Sequence, residues 1–199
     1  LQFVGILLLL CQLIWSTCNG LCPDSAHIFY ILFFVIAGLI VCTGAMNIFN
    51  FMDGINGITG GYSLIVLAAI LYTLNCHTIQ AGESLAHWVS SLVTITLLAD
   101  VVFCFFNFRS RAKCFAGDVG SVSIAFIILF SLGFIIVQTH DLSLLSFLVV
   151  YGVDGCLTII HRLMLHEKIS LPHRKHLFQI MANELHIPHV AVSLVYMLV

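Results

Sequence analysis

The sequence predicts an all-α polytopic membrane protein, in which about seven transmembrane helices form a single membrane-embedded domain over residues 1–199. Composition is the first reason: 61% of the residues are hydrophobic and 8% are charged, whereas a water-soluble domain carries about 25% charged residues. The second reason is a series of apolar stretches of near-bilayer length. The third is that every basic residue falls in two of the segments between those stretches, 107–119 and 161–186.

A helix that crosses a bilayer needs about 20 mainly apolar residues. The stretches that meet or approach this length are 1–16, 27–46, 62–75, 87–106, 120–138, 142–160 and 187–199. The chain begins inside the first stretch, so we expect that the membrane domain is N-terminally truncated here and that further helices precede it.

The basic residues predict the orientation of these spans. If each stretch crosses once, segments 47–61, 107–119 and 161–186 lie on one face of the membrane. That face carries all seven basic residues, Arg109, Arg111, Lys113, Arg162, Lys168, Arg174 and Lys175. Because cytoplasmic loops are enriched in Lys and Arg, we predict that the three segments are cytoplasmic. The net charge of −2 gives no reason to expect a nucleic-acid partner.

The first of these segments carries a polar residue at every third position. These residues are Asn47, Asn50, Asp53 and Asn56. If the chain is helical as far as Asp53, the first three share one helix face, and the glycines that follow let a ligand approach the backbone closely. A merely solvated helix end would favour Lys, Glu and Ser over amides between aromatic residues, so we interpret the segment as part of a binding site.

The second segment contains the sequence FAGDVGS, residues 115–121, where a predicted span begins. Taken alone, Asp118 is typical of a simple helix N-cap. Its setting favours a phosphate site, because three basic residues precede it and a helix N-terminus binds anions. Carboxylates suit such a site when a divalent cation lies between them and the phosphates, so Asp53 and Asp118 together predict Mg²⁺.

The third segment reads PHRKHLFQ, residues 172–179. If Pro172 starts a helix, His173 and His176 lie on one face of it and form an anion-binding patch with the neighbouring basic residues. The histidine spacing is also found in zinc sites, but no cysteine or carboxylate lies nearby, so zinc is not expected. An ordinary basic cytoplasmic loop would explain the Arg and Lys residues but not the two histidines.

These motifs resemble those of the polyprenyl-phosphate N-acetylhexosamine-1-phosphate transferase superfamily, which includes the phospho-MurNAc-pentapeptide translocase. NIFNFMDGINGITGG (47–61) is similar to its N-x-x-N-x-x-D-G-x-D/N-G motif, FAGDVGS to its F-x-G-D-x-G-S motif, and PHRKH (172–176) to its C-terminal histidine loop. The DGING and PHRKHLFQ sequences look closest to the undecaprenyl-phosphate GlcNAc-1-phosphate transferase branch, which primes surface polysaccharides.

The resemblance implies a reaction in which N-acetylhexosamine 1-phosphate passes from a UDP-sugar to undecaprenyl phosphate, with release of UMP. Such a reaction initiates cell-envelope polysaccharide synthesis at the cytoplasmic face of the inner (plasma) membrane. It implies Mg²⁺, or alternatively Mn²⁺, as the cofactor. The implied partners are the UDP-N-acetylhexosamine, undecaprenyl phosphate and the lipid bilayer. Pairing with a second copy of the chain, as a homodimer, is an open alternative.

The resemblance also assigns roles to residues. The catalytic residues would be Asp53, Asp118, His173 and His176, with Asp118 as the metal ligand. The substrate-binding residues would be Asn47, Asn50, Asn56, Asn107, Phe115 and Arg174, with Phe115 stacked on uracil. Asn56 stands where many relatives have a second aspartate, so direct metal ligation by this residue is not expected.

Two alternatives stay open at this point. The family's earlier Asp-Asp pair has no counterpart in this sequence and is expected upstream, so the chain is alternatively an inactive membrane fragment of such an enzyme. A transporter is the other alternative, since Asp100 and Asp154 lie inside predicted spans, where carboxylates are costly and usually functional or paired. Asp154 shares a helix face with Thr158 and Arg162, which predicts an internal polar contact, whereas no partner is predicted for Asp100.

Overall fold

The computed structural model describes residues 2–18, 25–76, 83–168 and 174–199, and every regular element in these ranges is a helix. The helices are α1 (Gln2–Cys18), α2 (Ser25–Met52), α3 (Ile58–Cys76), α4 (Glu83–Asn107), α5 (Gly117–Thr139), α6 (Val149–Met164), α7 (Leu177–Asn183) and α8 (His189–Leu198). A 3-10 segment, Leu142–Leu148, precedes α6 directly. The all-α polytopic membrane fold predicted from the sequence is confirmed.

The number of spans differs from the predicted seven. Among the described residues, five helical segments are long and apolar enough to cross a membrane: Ile31–Met52, Ile58–Cys76, Leu85–Asn107, Gly117–Thr139 and Leu142–Met164. The first and last predicted stretches form shorter apolar helices, Phe3–Ile14 and His189–Leu198. The described residues thus contain five helices of spanning length, where the sequence analysis predicted seven.

Helix α3 is the central helix of the bundle, and it packs against α4, α5 and α8. Small residues at its start allow this packing, because a Cβ on Gly60 would lie 2.8 Å from Cys104 Sγ and one on Gly61 would lie 2.6 Å from Met197 Sδ. Helices α2 and α4 instead expose large apolar side chains such as Phe33 and Ile95. Those exposed faces suit contact with lipid.

A cluster of aromatic residues joins α2, α3 and α6 below the polar end of the bundle. The rings of Tyr62 and Tyr151 stack with centroids 3.8 Å apart, and the Phe49 ring meets Tyr151 edge-on at 4.9 Å. Both tyrosine hydroxyls donate to backbone carbonyls, Tyr62 to Phe147 O and Tyr151 to Ile58 O. Because these polar ends are satisfied by backbone atoms, the cluster fixes three helices beside the loop that follows α2.

The segments predicted to share one membrane face meet at one end of the bundle. Hydrogen bonds join the loop 53–57 to the segment 108–116 there, and a ring contact joins His176 to Phe51 at the end of α2. Two local predictions need correction. Helix α2 ends at Met52, so Asp53 lies in a turn rather than in the helix. Residues 174–176 are not helical and α7 begins at Leu177, so His176 precedes the helix, and Pro172 lies outside the described residues.

Candidate active site

Asp53 connects the loop after α2 to the start of α5. Its Oδ2 accepts a hydrogen bond from the Gly117 backbone N–H at 2.8 Å, and its Oδ1 accepts one from the Thr59 hydroxyl at 2.8 Å. Gly117 has φ +62°, a left-handed conformation that glycine adopts without strain. A carboxylate from 64 residues earlier therefore occupies the helix N-terminus, where the unpaired N–H groups favour negative charge.

Asp118 is exposed in the first turn of α5, and its side chain does not cap the helix. The simple N-cap alternative is therefore wrong for Asp118. One turn later, Ser121 donates to Asn50 Oδ1 at 2.7 Å, which joins α5 to the last turn of α2. Asn50 and Asp118 both line an apolar cavity of about 650 Å³ between these helices. Asn47 lies one turn before Asn50 on α2 and is half-buried.

Asn56 and Asn107 connect the loops through their side-chain amides. Asn107, which is 1% exposed, accepts from Gly57 N at 2.8 Å and donates to Cys114 O at 2.7 Å. Asn56 Nδ2 donates to the carbonyls of Arg109 and Ser110. Both side chains thus hold backbone segments together beside the site. Their predicted contact with substrate remains a prediction.

His176 lies in a buried polar network at the start of α7. Its Nδ1 is 3.3 Å from the Thr158 hydroxyl and 3.6 Å from Asp154 Oδ1. Asp154 also accepts from the Leu177 backbone N–H at 2.9 Å and from the Tyr196 hydroxyl at 2.8 Å. The internal polar contact predicted for Asp154 is therefore confirmed.

The structure brings His176 close to the first motif. Its ring centroid is 6.5 Å from that of Phe51, and the ring of Phe178 packs within 3.0 Å of a Cβ built on Gly54. Arg174 is exposed beside it. His173 lies outside the described residues, so its predicted role remains a prediction.

Two basic residues of the third segment form an ion-pair group with Glu167. The Glu167 carboxylate accepts from Lys175 Nζ and, at 3.3 Å, from Arg162 Nε. Arg162 is 2% exposed and also donates to the Lys168 carbonyl. The hydrogen bond from Lys175, with a smaller contribution from Arg162, holds the pKa of Glu167 below its usual value. This ion-pair group joins the end of α6 to the residues just before α7, so Arg162 and Lys175 have a structural role.

A second cavity, of about 350 Å³, lies beside the start of α5. Phe115, which is 56% exposed, forms part of its wall together with Thr59 from α3 and Asp100 from α4. Ser123 and Ile127 line both this cavity and the larger one. The first turns of α5 thus adjoin two cavities, one with Asp118 and one with Phe115.

The residues at this end of the bundle fit a metal held largely by its substrate. Within the described ranges, no group of three His, Cys, Asp or Glu side chains comes together as a metal cage. Asp118 presents an exposed carboxylate, and Asn50 lines the same cavity with an amide. Mg²⁺ is commonly bound by one or two carboxylates plus substrate phosphates, so this donor set is compatible with it.

Three side chains that organise the site were not predicted from the sequence. Thr59 donates to Asp53, Tyr196 donates to Asp154, and Ser193 donates to Asn56 O at 2.7 Å. Ser193 and Tyr196 lie three apart on α8, and both are buried. Two hydroxyls on one face of an otherwise apolar helix were the available signal that α8 returns to the polar end of the bundle.

Comparison with known proteins identifies the family. Residues 1–138 match the sequence model of glycosyl transferase family 4. The chain belongs to this family. The resemblance stated from the motifs is thereby confirmed, and the family match covers the first two motifs together with the helices that carry them.

Three proteins of known name are similar to parts of the chain. The chain is 29% identical over 138 residues to the probable undecaprenyl-phosphate N-acetylglucosaminyl 1-phosphate transferase of Bacillus subtilis, covering 67% of this chain and 36% of that protein. It is 30% identical over 128 residues to the phospho-N-acetylmuramoyl-pentapeptide-transferase of Saccharopolyspora erythraea, covering 53% and 35%. The undecaprenyl-phosphate alpha-N-acetylglucosaminyl 1-phosphate transferase of Escherichia coli K12 is 34% identical over 88 residues, covering 44% and 23%. The matches thus span about a third or less of each relative's length.

Proposed function

We propose that this family 4 protein transfers a sugar 1-phosphate, N-acetylhexosamine 1-phosphate, from a UDP-sugar to undecaprenyl phosphate at the cytoplasmic face of the inner membrane. The single observation that carries the proposal is the direct contact between the first two motifs. Asp53 binds the backbone at Gly117, and Asn50 binds Ser121. This contact leaves the carboxylate of Asp118 exposed at the membrane-spanning helix that both motifs adjoin.

The physical chemistry of the reaction suits this arrangement. Transfer of a phosphoryl-linked sugar between two polyanions depends mainly on positioning and on neutralising charge. Beyond the Gly117 N–H that Asp53 accepts, the first turn of α5 presents further backbone N–H groups of a helix N-terminus, and the basic segments supply cations. The apolar cavity beside Asp118 and Asn50 suits the isoprenoid part of a lipid phosphate whose head group stays at the polar end.

Each candidate residue receives a specific part in this proposal. Asp118 would hold Mg²⁺, or Mn²⁺, which would supply positive charge to neutralise the substrate phosphates. Asp53 keeps the start of α5 in place, and Asn50 orients Ser121 beside the metal site. His176 and the exposed Arg174 would contact the diphosphate from the third segment, and Phe115 would stack on the base.

Transfer of radiolabelled sugar phosphate tests the proposal. The protein is expressed from its complete gene, purified, and supplied with undecaprenyl phosphate, Mg²⁺ and a panel of UDP-sugars. We expect a chloroform-soluble labelled product and an equal amount of UMP with at least one UDP-N-acetylhexosamine. UMP without a lipid-linked product, or neither product from any donor, would contradict the proposal and would favour an inactive membrane protein of the family.

A further inference from the structure

Asp100 is a buried carboxyl group that the proposed reaction does not use. It lies on α4 inside a membrane-spanning segment and is 3% exposed. Neither carboxylate oxygen has a hydrogen-bond partner among the residues that the structure describes. A buried carboxyl group without a partner costs considerable free energy. Its presence is explained most simply if a bound group satisfies it.

The surroundings of Asp100 form a cavity large enough for such a group. The cavity measures about 350 Å³, which is near the lower end of the range of about 300–1,000 Å³ for ligand pockets. Most of its wall is apolar, formed by Ala99, Phe103, Phe115, Ile124 and Ile127. A flat, largely apolar group with a few polar atoms would therefore fit.

The polar atoms around the cavity define which hydrogen bonds remain available. The Thr59 hydroxyl already donates to Asp53 Oδ1, and the Thr96 hydroxyl already donates to Leu92 O, both at 2.8 Å. Each hydroxyl can then only accept a further hydrogen bond. With the Asp100 carboxylate, these three residues present acceptors, and Ser123 adds one hydroxyl that can donate or accept. A phosphate, which is an acceptor and an anion, is repelled by the carboxylate, whereas an N–H group complements it.

The position of the cavity connects it to the proposed donor substrate. Thr59 joins the cavity wall to Asp53, which binds the start of α5. A group held beside Asp100 therefore lies next to the candidate phosphate site. A UDP-N-acetylhexosamine carries two flat groups in which an N–H adjoins a carbonyl, namely the acetamido group of the sugar and the imide of the uracil.

We propose that Asp100, in the cavity between α4 and α5, binds an amide-type N–H group of the sugar-nucleotide substrate. The proposal deepens the proposed function and rests on it for the identity of the substrate. Asp100 is a substrate-binding residue in this account, and the apolar wall holds the rest of the flat group. Its loss would raise the KM for the sugar nucleotide more than it would lower kcat.

Binding titrations of the protein from its complete gene test this proposal without turnover. The probes are uridine 5′-monophosphate, which carries the imide, and N-acetylglucosamine 1-phosphate, which carries the acetamido group. We expect Asp100→Leu to weaken one probe by about tenfold or more, and the probe that weakens identifies the N–H source. Unchanged affinity for both probes, or binding of neither probe by the wild type, would overturn the proposal.

The thermal stability of the Asp100→Leu variant distinguishes a binding role of Asp100 from a structural role. Because Asp100 has no partner in the described residues, Asp100→Leu should leave the Tm of the ligand-free protein unchanged or raise it. A lower Tm together with equal weakening of both probes would show a structural residue and would contradict the proposal.

Two threonines on α4 supply a matched control. Thr94 and Thr96 each donate to the carbonyl four residues earlier at 2.8 Å, but Thr96 lines the cavity and Thr94 is not among its lining residues. We expect Thr96→Val to weaken the same probe as Asp100→Leu and Thr94→Val to leave it unchanged. The measurements also distinguish failure of the Asp100 site from failure of the transferase function. Normal turnover with an unchanged KM in Asp100→Leu would contradict only the Asp100 site. Probe binding without a lipid-linked product would contradict only the transferase function.

Discussion

Asp154 and Asp100 lie in spanning segments, are 6% and 3% exposed, and have opposite surroundings. Asp154 accepts hydrogen bonds from Tyr196 and Leu177 and lies beside His176. Asp100 has no partner for either oxygen among the described residues, but it faces a cavity. A carboxylate inside a membrane helix is therefore not by itself a sign of function or of structure. If the carboxylate accepts hydrogen bonds, its removal leaves the donors unpaired. If it accepts none, its removal eliminates a buried unpaired group.

The largest expected effect is on the satisfied member of this pair. Asp154→Ala leaves the buried Tyr196 hydroxyl and the part-buried Leu177 N–H without their acceptor. At about 1–3 kcal/mol for each orphaned group, the free energy of unfolding should fall by about 2–6 kcal/mol. Unfolding in mixed detergent micelles measures it. Asp154→Asn, which keeps an acceptor oxygen, is the control and should lose less. An unchanged stability in Asp154→Ala would remove the basis of the comparison.

Two fully buried serines allow the same comparison between a hydrogen-bonded and an unpartnered polar group, here without a charge. Ser193 donates to Asn56 O, whereas Ser63 Oγ has no partner among the described residues. We expect Ser193→Ala to lower the free energy of unfolding by about 1 kcal/mol, and Ser63→Ala to leave it unchanged or raise it slightly. The same unfolding assay applies to both variants. Equal destabilisation would mean that burial rather than hydrogen bonding determines the cost.

The smallest expected effect concerns a carboxylate at the surface. The folded pKa of Glu167 is depressed, chiefly by its hydrogen bond from Lys175. The stabilisation is therefore present above the ordinary pKa of a glutamate and is lost as the pH falls through the lower, folded pKa. We expect the Tm difference between the wild type and Glu167→Gln to shrink as the pH is lowered from 7 through 4. A difference independent of pH would contradict the ion-pair account.

The sequence predicted what depends on local pattern. Apolar stretch lengths and the position of basic residues predicted helices and the meeting of three loops, since both are properties of neighbouring residues. The helix ends were less predictable. Helix α2 ends one residue earlier than expected, and the start of α7 at Leu177 is set by Asp154, which lies 23 residues away in the chain.

Long-range pairings explain the rest. Asp118 looked like a helix cap, yet Asp53 takes the backbone N–H at the start of α5. Asn56 and Asn107 are predicted to contact substrate, and the structure shows in addition that their amides hold the loops together. Each pairing joins residues 50 or more apart. Residue type alone does not specify such pairings, because a carboxylate or amide serves equally well in a ligand site and in a loop contact.

Asp118→Asn tests most directly whether the exposed carboxylate at the start of α5 is the reaction centre. Asp141, just beyond the other end of the same helix, provides the control variant Asp141→Asn. With undecaprenyl phosphate and a UDP-N-acetylhexosamine, we expect Asp118→Asn to lower kcat by about 100-fold or more and to raise the Mg²⁺ concentration for half-maximal rate. Asp141→Asn should keep both near wild type. Normal turnover of Asp118→Asn at the same Mg²⁺ concentration would contradict the assignment.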